Sequence, residues 1–147
     1  MTLSFKEDHI SQIPALMMLE KVGYTYLTPA EAMELRGGNA SNVLLEPILR
    51  EQLAKINTVQ VSSQRTTVFS EQNITAGIEA LRNLPMAEGY MTASQVAYDL
   101  LTAGKTLEQI GDGDKKSYVM QYIDWKHIEN NAFHVTEEFA VSRTGMS

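Results

Sequence analysis

The spacing of apolar residues predicts that residues 1–104 are mainly helical. Apolar side chains recur there every three or four positions, the period that places them on one face of a helix. Within Val43–Ile56, for example, Leu45, Leu49 and Leu53 share a face. Five helices are expected: one closed by Gly23, one from Thr28 to Gly37, one over Val43–Ile56, one from Ser70 to about Leu84, and one over Thr92–Ala103, with Val96, Leu100 and Leu101 facing inward.

Residues with defined roles at helix ends support these boundaries. Ser4 with Glu7, and Thr28 with Glu31, have the spacing of a capping box, in which a hydroxyl and a carboxylate bond each other's backbone N–H groups. Pro14 lies inside the first helical pattern, so we expect a kink or an irregular turn there.

Alternating apolar residues predict strands in the last part of the chain, residues 105–147. Two are expected, over Lys116–Asp124 and Phe133–Val141, and Glu137 interrupts the apolar face of the second. Helices followed by strands favour a mixed α+β fold in a single domain, 1–147. The other elements expected are a short strand over Tyr24–Leu27, an exposed and partly extended connection over Asn57–Phe69, a loop over Met86–Met91 and a turn at Gly111–Asp114.

Composition narrows the classes of function. The net charge is −6, with 18 acidic and 12 basic residues, which argues against a large nonspecific phosphate-binding surface. The chain has no cysteine, so disulfides and thiolate metal sites are excluded. Apolar runs fall short of the roughly 20 residues that span a bilayer, and no secretory signal opens the chain. We therefore expect a cytoplasmic protein that is not in a membrane.

Few residues are candidates for chemistry. His9, His127 and His134 share no ligand spacing, and no phosphate-binding glycine loop gives a cofactor site. Glu7 and Asp8, adjacent in a first helical turn, have two interpretations. They complement the helix dipole, or they support a Mg²⁺ ion at a neighbouring active site. Glu7 and Asp8 by themselves do not complete a metal site.

Other charged residues have simpler interpretations. Glu138 faces solvent, whereas Glu137 either pairs with a Lys or Arg or serves a nuclease centre. Asp124 is expected to cap a turn. Lys115 and Lys116 are expected to lie in a solvated turn.

Two segments resemble a known family. Tyr118–Trp125 (YVMQYIDW) and Glu129–Val141 (ENNAFHVTEEFAV) are similar to the stretch that precedes the nuclease motif in the R (restriction) subunit of type I restriction enzymes. Lys6–His9 followed by Pro14, and the helix Val43–Asn57, resemble the opening of the same subunit. Together these segments cover most of the chain in order.

The resemblance implies an ATP-dependent endonuclease that cleaves unmodified foreign DNA. Its PD-(D/E)xK core needs an Asp and a Glu-x-Lys to hold Mg²⁺ and position water. We expect both motifs, and an ATP-hydrolysing motor, beyond Ser147, so this chain alone is predicted to be inactive. Gln12 stands where many relatives carry Glu, which leaves Glu7 and Asp8 as possible supporting acids.

The resemblance also implies DNA and the methylation and specificity subunits as partners. A different class of function stays open, namely a stand-alone interaction domain that docks onto the methylation–specificity complex. The acidic, helical character of the chain suits protein contact. The reading frame beyond Ser147 distinguishes the two hypotheses.

Overall fold

The computed structural model describes residues 7–142, with side chains from residue 12 onward, and confirms a mixed α+β fold. The helices in this range are α1 Glu7–Lys21, α2 Pro29–Leu35, α3 Glu46–Ile56, α4 Glu71–Arg82 and α5 Tyr90–Ala103, with short 3₁₀ turns at Met86–Glu88 and Ile128–Asn130. The strands are β1 Thr25–Tyr26, β2 Val59–Gln60, β3 Thr66–Thr67, β4 Lys105–Ile110, β5 Lys115–Met120 and β6 His134–Val135.

The chain forms two compact units. The described part of unit 1 comprises residues 7–45 and 132–142, and unit 2 is Glu46–Asn131. Unit 1 contains the parallel pair β1–β6, and unit 2 contains the antiparallel pairs β2–β3 and β4–β5. Unit 1 is therefore assembled from two stretches of sequence that unit 2 separates.

Main-chain and aromatic contacts join the two stretches of unit 1. The N–H of Thr25 donates to the carbonyl of Phe133, and that of Leu27 to the carbonyl of Val135, both at 2.8 Å. The rings of Tyr24 and Phe133 lie with centroids 5.3 Å apart and tilted by 49°. Parallel strands cannot be joined by a tight hairpin, so this pairing requires a long connection.

The core of unit 2 lies between α3, α4 and the β4–β5 hairpin. The Tyr122 hydroxyl donates to the carbonyl of Gly77 at 2.6 Å, which satisfies the phenol inside the core. Gly77 lies on the buried face of α4, next to the Met120 side chain. The buried apolar side chains of this unit are Leu53, Val59, Val61, Phe69, Ile74, Ile78, Ala93, Met120 and Tyr122.

The predicted hydrogen bonds at helix N-termini are confirmed for α2 and α4. Thr28 and Glu31 form both hydrogen bonds of the capping box, and the Ser70 hydroxyl accepts from the N–H of Asn73 at 3.2 Å. The proposed box of Ser4 and Glu7 lies outside the described side chains. Helix α1 continues through Pro14.

The end of the predicted strand Lys116–Asp124 is wrong, because β5 stops at Met120. The next residue, Gln121, donates its N–H to the side chain of Asn57 at 2.8 Å and so leaves the ladder. The sequence analysis also missed β4, which pairs with β5 along its whole length around the predicted Gly111–Asp114 turn. Only Leu107 and Ile110 in β4 are large and apolar, so the strand carries a weak signal.

The predicted strand Phe133–Val141 is also wrong, since only His134–Val135 pairs. Glu138 adopts a left-handed backbone with φ of 49°, which ends the extended path.

Two further corrections concern unit 2. Helix α5 begins at Tyr90 within the predicted loop, with Leu101 37% exposed, and the supposedly exposed connection buries Val59, Val61 and Phe69.

Candidate functional site

The predicted supporting acids Glu7 and Asp8 lie in the first turn of α1. Their side chains are outside the described part of the structure, so the proposed metal-supporting role stays a prediction. Gln12, one turn further along α1, has a buried side-chain oxygen without a hydrogen-bond partner among the described residues.

Glu137 is the half-buried carboxylate of unit 1, and its partner is a tyrosine. The Tyr26 hydroxyl donates to Oε1 of Glu137 at 2.9 Å, where the sequence favoured a Lys or Arg. Desolvation, with this hydrogen bond and the nearby negative charge, raises the pKa of Tyr26 to about 12. The contact joins β1 to the segment after β6, which stabilises the closure of unit 1.

Three buried side-chain oxygens of unit 1 have no hydrogen-bond partner among the described residues: Oε1 of Gln12, Oγ1 of Thr136 and Oε2 of Glu137. Such oxygens need a donor, a water or a hard cation to offset their desolvation. The described residues contain no group of three His, Cys, Asp or Glu that could hold a metal ion. This part of the chain therefore lacks a complete metal centre.

Arg36 is a buried cation of unit 1 and is 2% exposed. Its Nε and Nη2 donate to the carbonyls of Asn42 and Ala40, each at 2.6 Å. The guanidinium carbon lies 4.0 Å from the centroid of the Phe139 ring, a cation–π geometry. Sequence reasoning gave this arginine no role, because its partners are carbonyls and a ring instead of an acid.

Asp124 has the expected turn role. Its Oδ1 accepts from the N–H of His127 at 2.9 Å, and Oδ2 accepts from the side chain of Asn130 at 3.1 Å. The bond from the His127 backbone is the main cause of a lowered pKa for this carboxyl. The carboxylate is therefore engaged within its own loop.

Lys115 and Lys116 are exposed, as expected, but they lie at the start of strand β5 and not in a turn. Lys115 lies 3.1 Å from a carboxylate oxygen of Glu108 across the strand pair. Asp114, Lys115 and Lys116 have Asp-x-Lys spacing. Asp114 and both lysines lie at the exposed end of the β4–β5 hairpin, and among the described residues no three His, Cys, Asp or Glu side chains are grouped to hold a metal ion. The triplet therefore lacks the environment of a nuclease centre.

Helix α5 exposes an apolar surface to which sequence reasoning assigned no role. An open groove of about 470 Å³ is lined by Tyr90, Met91, Ser94, Gln95 and Tyr98. The two tyrosines are 71% and 63% exposed and Met91 is 89% exposed. The 3–4 spacing of these residues was visible in the sequence. Which face of α5 is buried depends on Ala93, and only packing shows that.

No helix within the described range is long and apolar enough to cross a membrane. Searches of curated proteins and of solved structures found no match to the chain. The sequence model of the type I restriction enzyme R protein N terminus matches residues 4–147. The match covers nearly the whole chain and agrees with the resemblance carried by Tyr118–Val141. The chain therefore belongs to the family of type I restriction enzyme R protein N termini.

Proposed function

We propose that this chain is the N-terminal part of an ATP-dependent type I restriction subunit that cleaves unmodified foreign DNA in the cytoplasm. The observation that carries the proposal is the family match over residues 4–147. The subunit acts with methylation and specificity subunits, and the specificity subunit reads the DNA sequence.

The nuclease chemistry is of the PD-(D/E)xK type. Mg²⁺ supplies Lewis-acid stabilisation of the scissile phosphate, and ATP hydrolysis drives the motor of the subunit. The described residues do not themselves make a metal centre. In this proposal the rest of the R subunit contributes the Asp and the Glu-x-Lys, and α1 contributes Glu7 and Asp8 as supporting acids.

A cleavage assay with supercoiled plasmid tests this proposal. The purified 147-residue chain with Mg²⁺ is expected to leave the plasmid intact. The whole R subunit, assembled with its methylation and specificity subunits and supplied with ATP, is expected to cut unmodified plasmid and spare methylated plasmid. Nicking by the chain alone, in a preparation free of contaminating nuclease, would contradict the proposal that the rest of the subunit contributes the catalytic motif. A full assembly that never cuts would contradict the nuclease assignment.

The supporting role of Glu7 and Asp8 has its own test. Asp8→Asn and Glu7→Gln in the whole subunit are expected to weaken Mg²⁺-dependent cleavage while leaving ATP hydrolysis unchanged, because the motor is a separate centre. Glu20→Gln, an exposed acid near the other end of α1, is the matched control. Cleavage equal to that of the control, over the full range of Mg²⁺ concentration, assigns these acids to helix stabilisation only.

The second candidate function is docking of this chain onto the methylation–specificity complex. The ion pairs of unit 2 favour it, because Arg50, Arg65 and Arg82 are engaged by Glu71, Asp112 and Glu46. Paired cations are less available to DNA phosphates. Binding of the purified chain to the complex, with no binding to DNA at the same salt concentration, supports this function. Binding to DNA alone contradicts it.

A further inference from the structure

Helix α5 carries a second apolar stripe that stays exposed among the described residues. Ala93 is 3% exposed and faces the core of unit 2. Met91, Ser94, Tyr98 and Leu101 follow one another at spacings of three, four and three residues, which places them on a single face. Met91, Tyr98 and Leu101 are 89%, 63% and 37% exposed, and Ser94 is exposed as well.

The chemistry of this stripe is that of a protein interface. Tyr and Met are enriched in such interfaces, whereas Lys and Glu are depleted. Helix α5 has no Lys, Arg or Glu, and its one acid, Asp99, accepts a hydrogen bond from the Gln95 amide at 2.9 Å. An occupant must therefore bring an apolar and uncharged surface of its own.

Tyr90 lies beside this stripe, and Tyr90 and Tyr98 flank Ser94 symmetrically. Tyr90 and Tyr98 each lie four residues from Ser94, so the pattern reads the same in both directions along the helix. A two-fold axis beside Ser94 brings two antiparallel helices together with the serines facing each other. Tyr90 of each copy then lies beside Tyr98 of the other. The small serine lets the helix axes approach closely at the crossing point.

We propose that α5 is a self-association surface, on which a second copy of this chain packs its own α5 antiparallel. The exposed side chains of Tyr90, Met91, Tyr98 and Leu101 offer about 500 Å² of surface per copy. A pair of copies that covers all of this surface buries about 1,000 Å² in total. That area is at the lower limit for a specific interface, so the dimer is weak and concentration-dependent. The proposal uses none of the residues that the proposed function assigns to the nuclease.

Sedimentation velocity of the purified chain over a wide concentration range is the first test. The chain is expected to pass from monomer to dimer as concentration rises. Tyr98→Ser is expected to raise the dissociation constant by about tenfold or more, because an aromatic anchor is lost. Ile110→Ser, at a residue that is 69% exposed on β4, is the matched control and is expected to leave the dimer intact.

A charge exchange at Ser94 tests the antiparallel geometry. Ser94→Arg and Ser94→Asp each place like charges across the two-fold axis, so each variant alone is expected to be monomeric. Mixing the two variants pairs opposite charges and is expected to restore a dimer. Thermal unfolding of each variant shows that the fold is retained. A dimer that survives Ser94→Arg, or variants that stay monomeric when mixed, would overturn the arrangement.

Cysteine cross-linking gives an independent measurement, because the natural chain has no cysteine. Ser94→Cys is expected to form a covalent dimer under mild oxidation, since two copies of this residue face each other. Ser117→Cys, exposed on β5, is the control and is expected to remain reduced. Equal cross-linking of the two variants, or a chain that is monomeric at every concentration, overturns self-association. If the monomeric chain binds the methylation–specificity complex and Ser94→Arg abolishes that binding, the face belongs to another protein.

Discussion

The side-chain amide of Asn57 pairs with both main-chain polar groups of Gln121. The N–H of Gln121 donates to Oδ1 of Asn57 at 2.8 Å, and Nδ2 of Asn57 donates to the carbonyl of Gln121 at 2.9 Å. Nδ2 also donates to the carbonyl of Leu53. Asn57 is 5% exposed, and its side chain takes the place of a strand neighbour where β5 ends. The pairing connects the end of α3 to the hairpin 64 residues later.

Asn57→Ala is expected to lower the free energy of unfolding by about 2–4 kcal/mol. The substitution leaves polar groups of Gln121 and Leu53 without partners at a largely buried position. Urea denaturation followed by circular dichroism measures the change. Gln72→Ala, at an exposed position on α4, is the control and is expected to change stability by less than about 0.5 kcal/mol. Equal effects of the two substitutions would show that the pairing contributes nothing.

Gly104→Ala is expected to destabilise the chain by several kcal/mol, more than its backbone conformation alone explains. Gly104 has φ of +82°, and an added Cβ would clash with the main-chain carbonyl of Met120. Gly113→Ala isolates the cost of the backbone, because φ is +88° there and nothing lies within 4 Å. That control is expected to lose about 1–2 kcal/mol, the ordinary cost of a left-handed alanine. A Gly104→Ala loss no larger than the control argues against the close approach of α5 and β5.

Desolvation is the main cause of the raised pKa of Tyr26, and the Glu137 carboxylate adds to it. Glu137→Gln is therefore expected to lower this pKa from about 12 by the part that the negative charge contributes. Alkaline titration of tyrosinate absorbance, compared with Tyr26→Phe, identifies this residue. Glu34→Gln, at an exposed position on α2, serves as the control.

The same shift makes stability depend on pH. The folded pKa of Tyr26 lies above its unfolded value of 10.0, so its contribution is fully present below pH 10. The contribution is lost as pH rises from 10 to 12, since the unfolded chain ionises first. Tyr122, whose pKa burial also raises to about 12, adds to this alkaline loss. In Tyr26→Phe the alkaline decline is therefore expected to shrink to the part that Tyr122 supplies, and an unchanged decline would refute the assignment.

Arg36→Lys is expected to lower the free energy of unfolding by about 2–3 kcal/mol, although the charge is kept. A lysine ammonium does not reproduce the planar fork that bonds two carbonyls and stacks on Phe139. Phe139→Leu removes only the ring. A double-mutant cycle of the two substitutions is expected to show a coupling energy of about 1 kcal/mol, the size of a cation–π contact. Additive effects would mean that the ring and the guanidinium do not interact.

Helix caps and turns, which depend on residues close together in the chain, could be predicted from the sequence. The Thr28–Glu31 box, the Ser70 cap and the turn at Gly111–Asp114 each arise within a few residues, and each is present in the structure. Strand β4 was missed because its pairing with β5, and not its own apolar content, makes it a strand. Leu101 was expected to face inward but is 37% exposed, because helical spacing identifies an apolar face without showing what covers it.

The sequence by itself determined the family of this protein, its α+β class and the ends of most helices. Those properties rest on ordered motifs and on hydrogen bonds between close neighbours. The tertiary structure decided which polar groups meet. Glu137 bonds Tyr26 from 111 positions away, and Arg36 stacks on Phe139. Contacts at such separation form only when packing brings remote segments together, so no local pattern in the sequence shows them.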